Sequence, residues 1–131
     1  MEERPVILVV EGHEALQELV DDALTEGGYE SAIVASAHEA VILLQTGQAN
    51  YRALVIDIYL GGSMNGWEAA RKARKIVPDL PVLYMTAGVG NKWPSEGVPS
   101  SILLQKPFDL AQLVTAVSKL LTTSSTPPRA S

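Results

Sequence analysis

The fold of this chain is decided by residues 54–60. The stretch reads Leu54-Val55-Ile56-Asp57-Ile58-Tyr59-Leu60, and residues 61–66 continue as Gly-Gly-Ser-Met-Asn-Gly. A short apolar run that ends at a Gly-rich loop indicates a strand buried on both faces, and such strands belong to parallel sheets covered by helices. Asp57 then lies where the strand leaves the sheet, the edge at which ligands collect in open α/β folds. The alternative is an Asp that only begins the loop or caps the next helix.

The rest of the chain alternates between the same kind of strand and amphipathic helices. Short apolar or β-branched stretches occupy residues 5–10, 29–35, 81–86 and 101–105. Apolar residues recur at helical spacing in residues 14–26, 37–46, 67–77 and 110–121. Strands that alternate with helices make βαβ units, and right-handed crossovers fold them into one parallel sheet. The sequence therefore predicts an α/β, flavodoxin-like, doubly wound five-stranded sheet of order 2-1-3-4-5.

Residues 87–99 interrupt this alternation. They contain three Gly and two Pro in thirteen residues and show no helical period. The sequence therefore predicts a fourth helix that is short or missing, in a mobile loop whose order changes on signalling. Trp93 lies in this loop, either as a reporter of that change or as an apolar anchor.

Length and composition limit the function classes. At 131 residues the chain forms one domain, predicted over residues 5–121, and the Ser-, Thr- and Pro-rich residues 122–131 are predicted to be disordered. The absence of cysteine excludes thiol chemistry and Cys-ligated metals. A net charge of −5 argues against direct nucleic-acid binding. The charged N-terminus and short apolar runs favour a cytoplasmic protein without a membrane segment.

Four polar side chains terminate strands around the crevice where strands 1 and 3 diverge. Glu11 follows strand 1, Asp57 ends strand 3, Thr86 ends strand 4 and Lys106 follows strand 5. One acid at a strand end is unremarkable, but the carboxyl ends of parallel strands meet at one edge. Two carboxylates, a hydroxyl and an ammonium are therefore predicted to converge there, which favours the functional interpretation of Asp57 over the loop or capping role.

Residues 5–121 resemble the receiver domain of bacterial response regulators. The features that carry the resemblance are Val9-Val10-Glu11, Leu54-Val55-Ile56-Asp57, Asn65-Gly66-Trp67-Glu68, Tyr84-Met85-Thr86-Ala87 and Lys106-Pro107-Phe108. None of these features is specific by itself, but the five together, in this order and at receiver-like spacing, are strong evidence for the resemblance.

The resemblance implies a stand-alone phosphoacceptor of a two-component system rather than an enzyme. Asp57 would accept a phosphoryl group from a histidine kinase or histidine phosphotransfer protein, and Thr86 and Lys106 would hold the phosphoryl oxygens. Mg²⁺ would be bound by Asp57, by Glu11 through water, and by the backbone carbonyl of Tyr59. Output would be contact with a downstream protein target.

Three positions depart from the family pattern. Gly12 stands where the family usually has a second acid, which implies weaker Mg²⁺ binding because one carboxylate is missing. His13 is a poor substitute, since Mg²⁺ disfavours imidazole, and is interpreted as a surface residue near the helix start. Leu103 stands where many receivers carry an aromatic residue that moves with the threonine, so no toggle is expected there.

Two rival functions follow from these positions. Gly12 is compatible with a pseudo-receiver that docks a partner without phosphotransfer. An enzymatic class with similar sheets, flavin binders and aspartyl phosphatases, is disfavoured. Such phosphatases need a second acid two residues after the nucleophile, where this chain has Tyr59, and a flavin site needs a phosphate-cradling loop where this chain has acids, Glu11 and Glu14.

Overall fold

The computed structural model describes residues 4–60, 62, 64–88 and 93–125 of the chain. The strands are β1 (Val6–Val10), β2 (Glu30–Val34), β3 (Tyr51–Asp57), β4 (Val82–Thr86) and β5 (Ser101–Gln105). The helices are α1 (Glu14–Glu26), α2 (Ala37–Thr46), α3 (Gly66–Ile76), α4 (Trp93–Glu96) and α5 (Leu110–Ser125).

The five strands form one parallel sheet in the order β2-β1-β3-β4-β5. This confirms the predicted flavodoxin-like topology. The apolar side chains of β3 divide between two cores because successive residues of a strand point to opposite faces. Leu54 and Ile56 pack with the apolar faces of α2 and α3, whereas Ala53 and Val55 pack with those of α1 and α5. Burial on both faces explains why residues 53–56 of this strand are apolar at every position.

Local side-chain bonds set where α2 and α3 begin. Ser36 accepts a hydrogen bond from the backbone N–H of Glu39, and α2 ends at Gly47, whose φ of 64° is left-handed. Asn65 and Glu68 form a capping box at the start of α3, each accepting from the other's backbone N–H. The capping box therefore fixes Gly66 as the first residue of α3, the helix that follows the Asp57 loop.

The fourth helix is as short as predicted, since α4 spans the four residues Trp93–Glu96. Trp93 Nε1 donates to Ser101 Oγ over 2.9 Å, and Arg71 donates to the carboxylate of Glu96 over 3.2 Å. These contacts agree with the anchoring role of Trp93. The predicted change in loop order falls partly on residues 89–92, which lie outside the described residues.

The boundary of the predicted tail was wrong at its first residues. Helix α5 continues to Ser125, past Leu121, so residues 122–125 are helical rather than disordered. Thr122 Oγ1 donates to the carbonyl of Ser118, one turn earlier, over 2.9 Å. A formed helix gains a backbone bond with each added residue, so it can outlast its apolar stripe. The remaining tail, residues 126–131, lies outside the described residues.

Within the described ranges, no helix is both long enough and apolar enough to cross a bilayer.

Candidate functional site

The sheet brings all four predicted polar residues to one edge. Glu11 directly follows β1, Asp57 ends β3, Thr86 ends β4 and Lys106 directly follows β5. The strand register continues into the loops, because the backbone N–H of Lys106 donates to the carbonyl of Thr86 over 2.7 Å. The parallel pairing therefore fixes which side chains meet.

Three of these side chains form one ionic cluster. Lys106 Nζ lies 2.8 Å from Asp57 Oδ2 and 3.3 Å from Glu11 Oε1. Glu11 is fully buried and Asp57 is 5% exposed. Two carboxylates face one ammonium, so the described cluster carries a net charge of −1 when all three are ionised. Burial makes that unbalanced charge unfavourable and therefore favours a cation or a proton at this edge.

Burial and neighbouring charges shift the pKa values of the two carboxyls in opposite directions. Burial, reinforced by the charge of Glu11, raises the pKa of Asp57 even though Lys106 acts against the shift. Burial would also raise the pKa of Glu11, but hydrogen bonds from His13, together with the charge of Lys106, hold that pKa below its usual value. The pKa of Lys106 is raised against its own burial by the hydrogen bond and charge of Asp57. Asp57 is therefore the carboxyl of the two that takes up a proton more readily.

The loop after β3 fixes the Asp57 carboxylate and packs against its backbone. The backbone N–H of Tyr59 donates to Asp57 Oδ1 over 3.0 Å, while the Tyr59 side chain is 62% exposed. The N–H of Gly66 donates to the carbonyl of Ile58 over 2.9 Å. A Cβ at residue 66 would lie 2.7 Å from the Asp57 carbonyl oxygen and from Ile58 Cα, so only glycine fits. The Asn65-Gly66 pair is a turn signal in the sequence, but the sequence alone did not indicate this close approach.

Thr86 is fully buried beside the cluster. Its Oγ1 accepts a hydrogen bond from the backbone N–H of Gly88 over 3.2 Å. The hydroxyl is thus tied to the start of the loop that follows β4.

Sequence reasoning missed the contacts of His13 and Gln17 with the cluster. The His13 side chain is 81% exposed, as a surface residue should be, but its backbone N–H and its Nδ1 each lie 3.0 Å from Glu11 Oε2. Gln17 Nε2 donates to the Glu11 carbonyl over 2.6 Å. The interpretation of His13 as a surface residue was therefore incomplete, because spacing along the chain does not report how the β1–α1 turn folds back.

The residues fit a divalent cation. One atom each from Glu11, His13 and Asp57 lie within 4.8 Å of one another, and the carboxylates are the oxygen ligands that Mg²⁺ takes in proteins. The uncompensated negative charge of the buried cluster supports the same conclusion. The backbone carbonyl of Tyr59 as a ligand stays a prediction.

Residue 103 on β5 is a leucine and carries no aromatic ring, but the neighbouring strand β4 carries one, Tyr84. Leu103 pairs in register with Tyr84 on β4, which is fully buried. Tyr84 Oη accepts a hydrogen bond from the backbone N–H of Val98 over 3.0 Å, and its ring centroid lies 4.7 Å from that of Trp67. Tyr84 thus holds the segment after α4 to the same strand that ends in Thr86.

Comparisons with known proteins agree with this geometry. The family model described as the response regulator receiver domain matches residues 7–118. The chain is 31% identical over 117 residues to the response regulator receiver protein CpdR of Brucella abortus, a match that covers 88% of this chain and 95% of that protein. It is 28% identical over 117 residues to the transcriptional regulatory protein PcoR of Escherichia coli, covering 88% of this chain and 50% of PcoR, so the chain spans about half of that relative.

The solved structures give the same result. A crystal structure of a response regulator receiver protein from Sinorhizobium medicae superposes with a TM-score of 0.90 at 37% identity, covering 94% of this chain and 98% of that chain.

Proposed function

The chain belongs to the response regulator receiver domain family, and from that premise we propose that it is the receiver of a response regulator and accepts a phosphoryl group on Asp57. The donor is the phosphohistidine of a histidine kinase or phosphotransfer protein. The output is contact with a downstream protein. The observation that carries the proposal is the buried carboxylate of Asp57 held 2.8 Å from Lys106 Nζ at the carboxyl edge of the sheet.

The proposed reaction mainly requires that the Asp57 carboxylate be positioned and that the charge of the phosphoryl oxygens be neutralised. An Asp57 carboxylate oxygen attacks phosphorus, a P–O bond forms, the P–N bond to the donor imidazole breaks, and the imidazole leaves with the bonding electrons. Tyr59 N–H orients the carboxylate through Oδ1. The Lys106 ammonium, already within hydrogen-bond distance of Oδ2, can move its bond to a phosphoryl oxygen.

A bound Mg²⁺ would supply further neutralisation of the phosphoryl oxygens, with Asp57 and Glu11 as its carboxylate ligands. Transfer adds negative charge and acceptor oxygens next to β4. The Thr86 hydroxyl can turn toward them to donate its own proton, and because its oxygen also accepts from Gly88 N–H, such a turn would exchange or reshape that bond. That exchange links the modified carboxylate to the loop after β4, which is a local event with a readout on the surface.

The test is incubation with acetyl phosphate and Mg²⁺, followed by intact mass measurement. We expect a gain of one phosphoryl group, its loss on Asp57→Asn, and its retention on Asp79→Asn, which changes an exposed Asp in the α3–β4 turn. A protein that stays unmodified, or a modification that survives Asp57→Asn, would refute the proposal.

A second candidate is a partner-binding module that does not use phosphotransfer, and Gly12 favours it. A Cβ at residue 12 would meet only the carbonyl of Ala35 at 3.9 Å, an ordinary van der Waals contact. A Cβ therefore fits sterically at this exposed position, where the chain lacks an acid. Gly12→Asp should raise the rate of phosphorylation by acetyl phosphate if the site is a working but weakened one. A protein that acquires phosphorylation only with Gly12→Asp would support the binding module instead.

A further inference from the structure

His13 brings a nitrogen donor to the carboxylate cluster. Its Nδ1 lies 3.0 Å from Glu11 Oε2, and the imidazole, Glu11 and Asp57 each offer one atom to a group that spans at most 4.8 Å. Two ligands on one tetrahedral metal ion, each about 2.1 Å from it, are about 3.4 Å apart. The Glu11–His13 pair would therefore have to open by about 0.4 Å to hold one such ion, a shift that the exposed His13 side chain allows.

The space around the imidazole is open. Gly12 has no side chain, and both Gly12 and His13 are exposed, so water and ions reach the His13 ring. Lys106 is the cation that faces the same carboxylates, and with His13 neutral the described cluster keeps a net charge of −1. A divalent ion therefore meets net attraction at this position rather than repulsion.

The donor types point away from Mg²⁺ as the preferred ion. Imidazole suits Zn²⁺ and the neighbouring first-row transition metals, whereas Mg²⁺ takes oxygen ligands and keeps its waters. The chain has no cysteine and two histidines in all. Few other side chains of this chain could therefore bind such an ion tightly, and a site that depends on imidazole must use His13 or His38.

We propose that Glu11, His13 and Asp57 form a mixed nitrogen and oxygen site for a first-row transition-metal ion of the Zn²⁺ type. His13 Nδ1 takes the place that Gly12 leaves without a carboxylate. The inference rests on the proposed function only in using the same carboxylates. Its consequence is that such an ion would occupy the phosphoacceptor and compete with Mg²⁺ there.

The test is calorimetric titration of tag-free, chelator-treated protein with ZnCl₂ and, separately, with MgCl₂. Tighter binding of Zn²⁺ than Mg²⁺ is expected at almost any nitrogen-containing site and does not decide the matter. The deciding result is the effect of His13→Asn. We expect a loss of Zn²⁺ affinity of at least about tenfold, since even the loss of an outer-shell partner typically weakens metal binding by about 10–100-fold. Mg²⁺ affinity should change by less than about twofold.

His38→Asn is the matched control, because His38 is also exposed but lies on α2. It should leave both affinities unchanged. Imidazole nitrogen NMR of the unmutated protein gives a second readout: Zn²⁺ should shift the ring signals of His13 and leave those of His38 in place. Unchanged Zn²⁺ affinity in His13→Asn, or unmoved His13 signals, would overturn the inference.

The two proposals fail separately. Phosphorylation of Asp57 in Mg²⁺ together with Zn²⁺ binding that ignores His13 would refute the metal inference and leave the phosphoacceptor. Zn²⁺ binding that needs His13, in a protein that acetyl phosphate never modifies, would refute the phosphoacceptor and leave the metal site.

Discussion

Replacing Lys106 by Met should destabilise the protein by about 3 kcal/mol in metal-free buffer. Lys106 contacts the carboxylates of Asp57 and Glu11 at 2.8 and 3.3 Å. At an effective dielectric constant of about 20, charges at these distances attract by about 6 and 5 kcal/mol, of which desolvation cancels a large part. Loss of one partner from a buried pair costs about 3–5 kcal/mol. We take the lower end because the Lys106 side chain is 22% exposed.

Urea unfolding followed by tryptophan emission measures this loss. Trp67 is 5% exposed in the core, so its emission reports global unfolding. Met keeps most of the aliphatic stem of Lys106, which separates the charge from packing. Lys72→Met, on the exposed side of α3, is the control and should change stability by no more than about 0.5 kcal/mol. EDTA must be present, because a divalent ion would replace the missing ammonium.

A double-mutant cycle decides whether the loss arises from the cluster. Asp57→Asn removes one of the two carboxylates that Lys106 neutralises, so Lys106→Met should be less damaging in that background by about 1.5 kcal/mol or more. Addition of Mg²⁺ should restore stability to Lys106→Met more than to the unmutated protein. A loss below about 1 kcal/mol with no coupling to Asp57→Asn would refute the ionic account of this edge.

Three further changes test other parts of the structure. The folded-state pKa of Asp57 is raised by burial, so its neutral form favours folding below the unfolded value of 3.8 and that contribution is lost as pH rises through the folded pKa. As pH rises through the folded pKa of Asp57 in EDTA, Asp57→Asn should therefore gain stability relative to the unmutated protein, on the order of 1 kcal/mol. A pH-independent difference in urea titrations would contradict this. Tyr84→Phe removes the acceptor of Val98 N–H and should lose about 1–3 kcal/mol in the same assay; an unchanged midpoint would show that the bond contributes little. Gly66→Ala places a Cβ 2.7 Å from Ile58 Cα and should both destabilise the fold by about 2 kcal/mol and slow phosphorylation by acetyl phosphate, whereas an unaffected rate would show that this loop does not position the acid.

The elements of the fold were predictable because each has a local cause. Residues 54–56 of β3 are apolar on both faces, and this composition alone indicated a parallel sheet with helices on both sides. Asn65 and Glu68 form their capping box three residues apart, a signal that needs no tertiary information. The end of α5 was missed because the helix continues to Ser125 after its apolar stripe stops. The backbone bonds that extend it leave no hydrophobic pattern.

The candidate site was predictable as a set of residues but not as a set of contacts. Parallel strands bring their carboxyl ends together, so Glu11, Asp57 and Lys106 could be grouped from their positions alone. The sequence could not assign His13 to the same group, because its contact depends on the backbone path of the β1–α1 turn, which brings both its N–H and its Nδ1 to Glu11 Oε2.

The sequence by itself determined the α/β architecture, the strand order, the family and the identity of Asp57 as the carboxylate at the decisive strand end. Only the tertiary structure decided the balance of charge around it. That balance depends on burial and on separations of about 3 Å between residues far apart in the chain, as with Lys106 and Glu11, 95 positions apart. Electrostatic interactions among buried groups change steeply with such distances. Residue order fixes which strands become neighbours, but it does not fix distances at that scale.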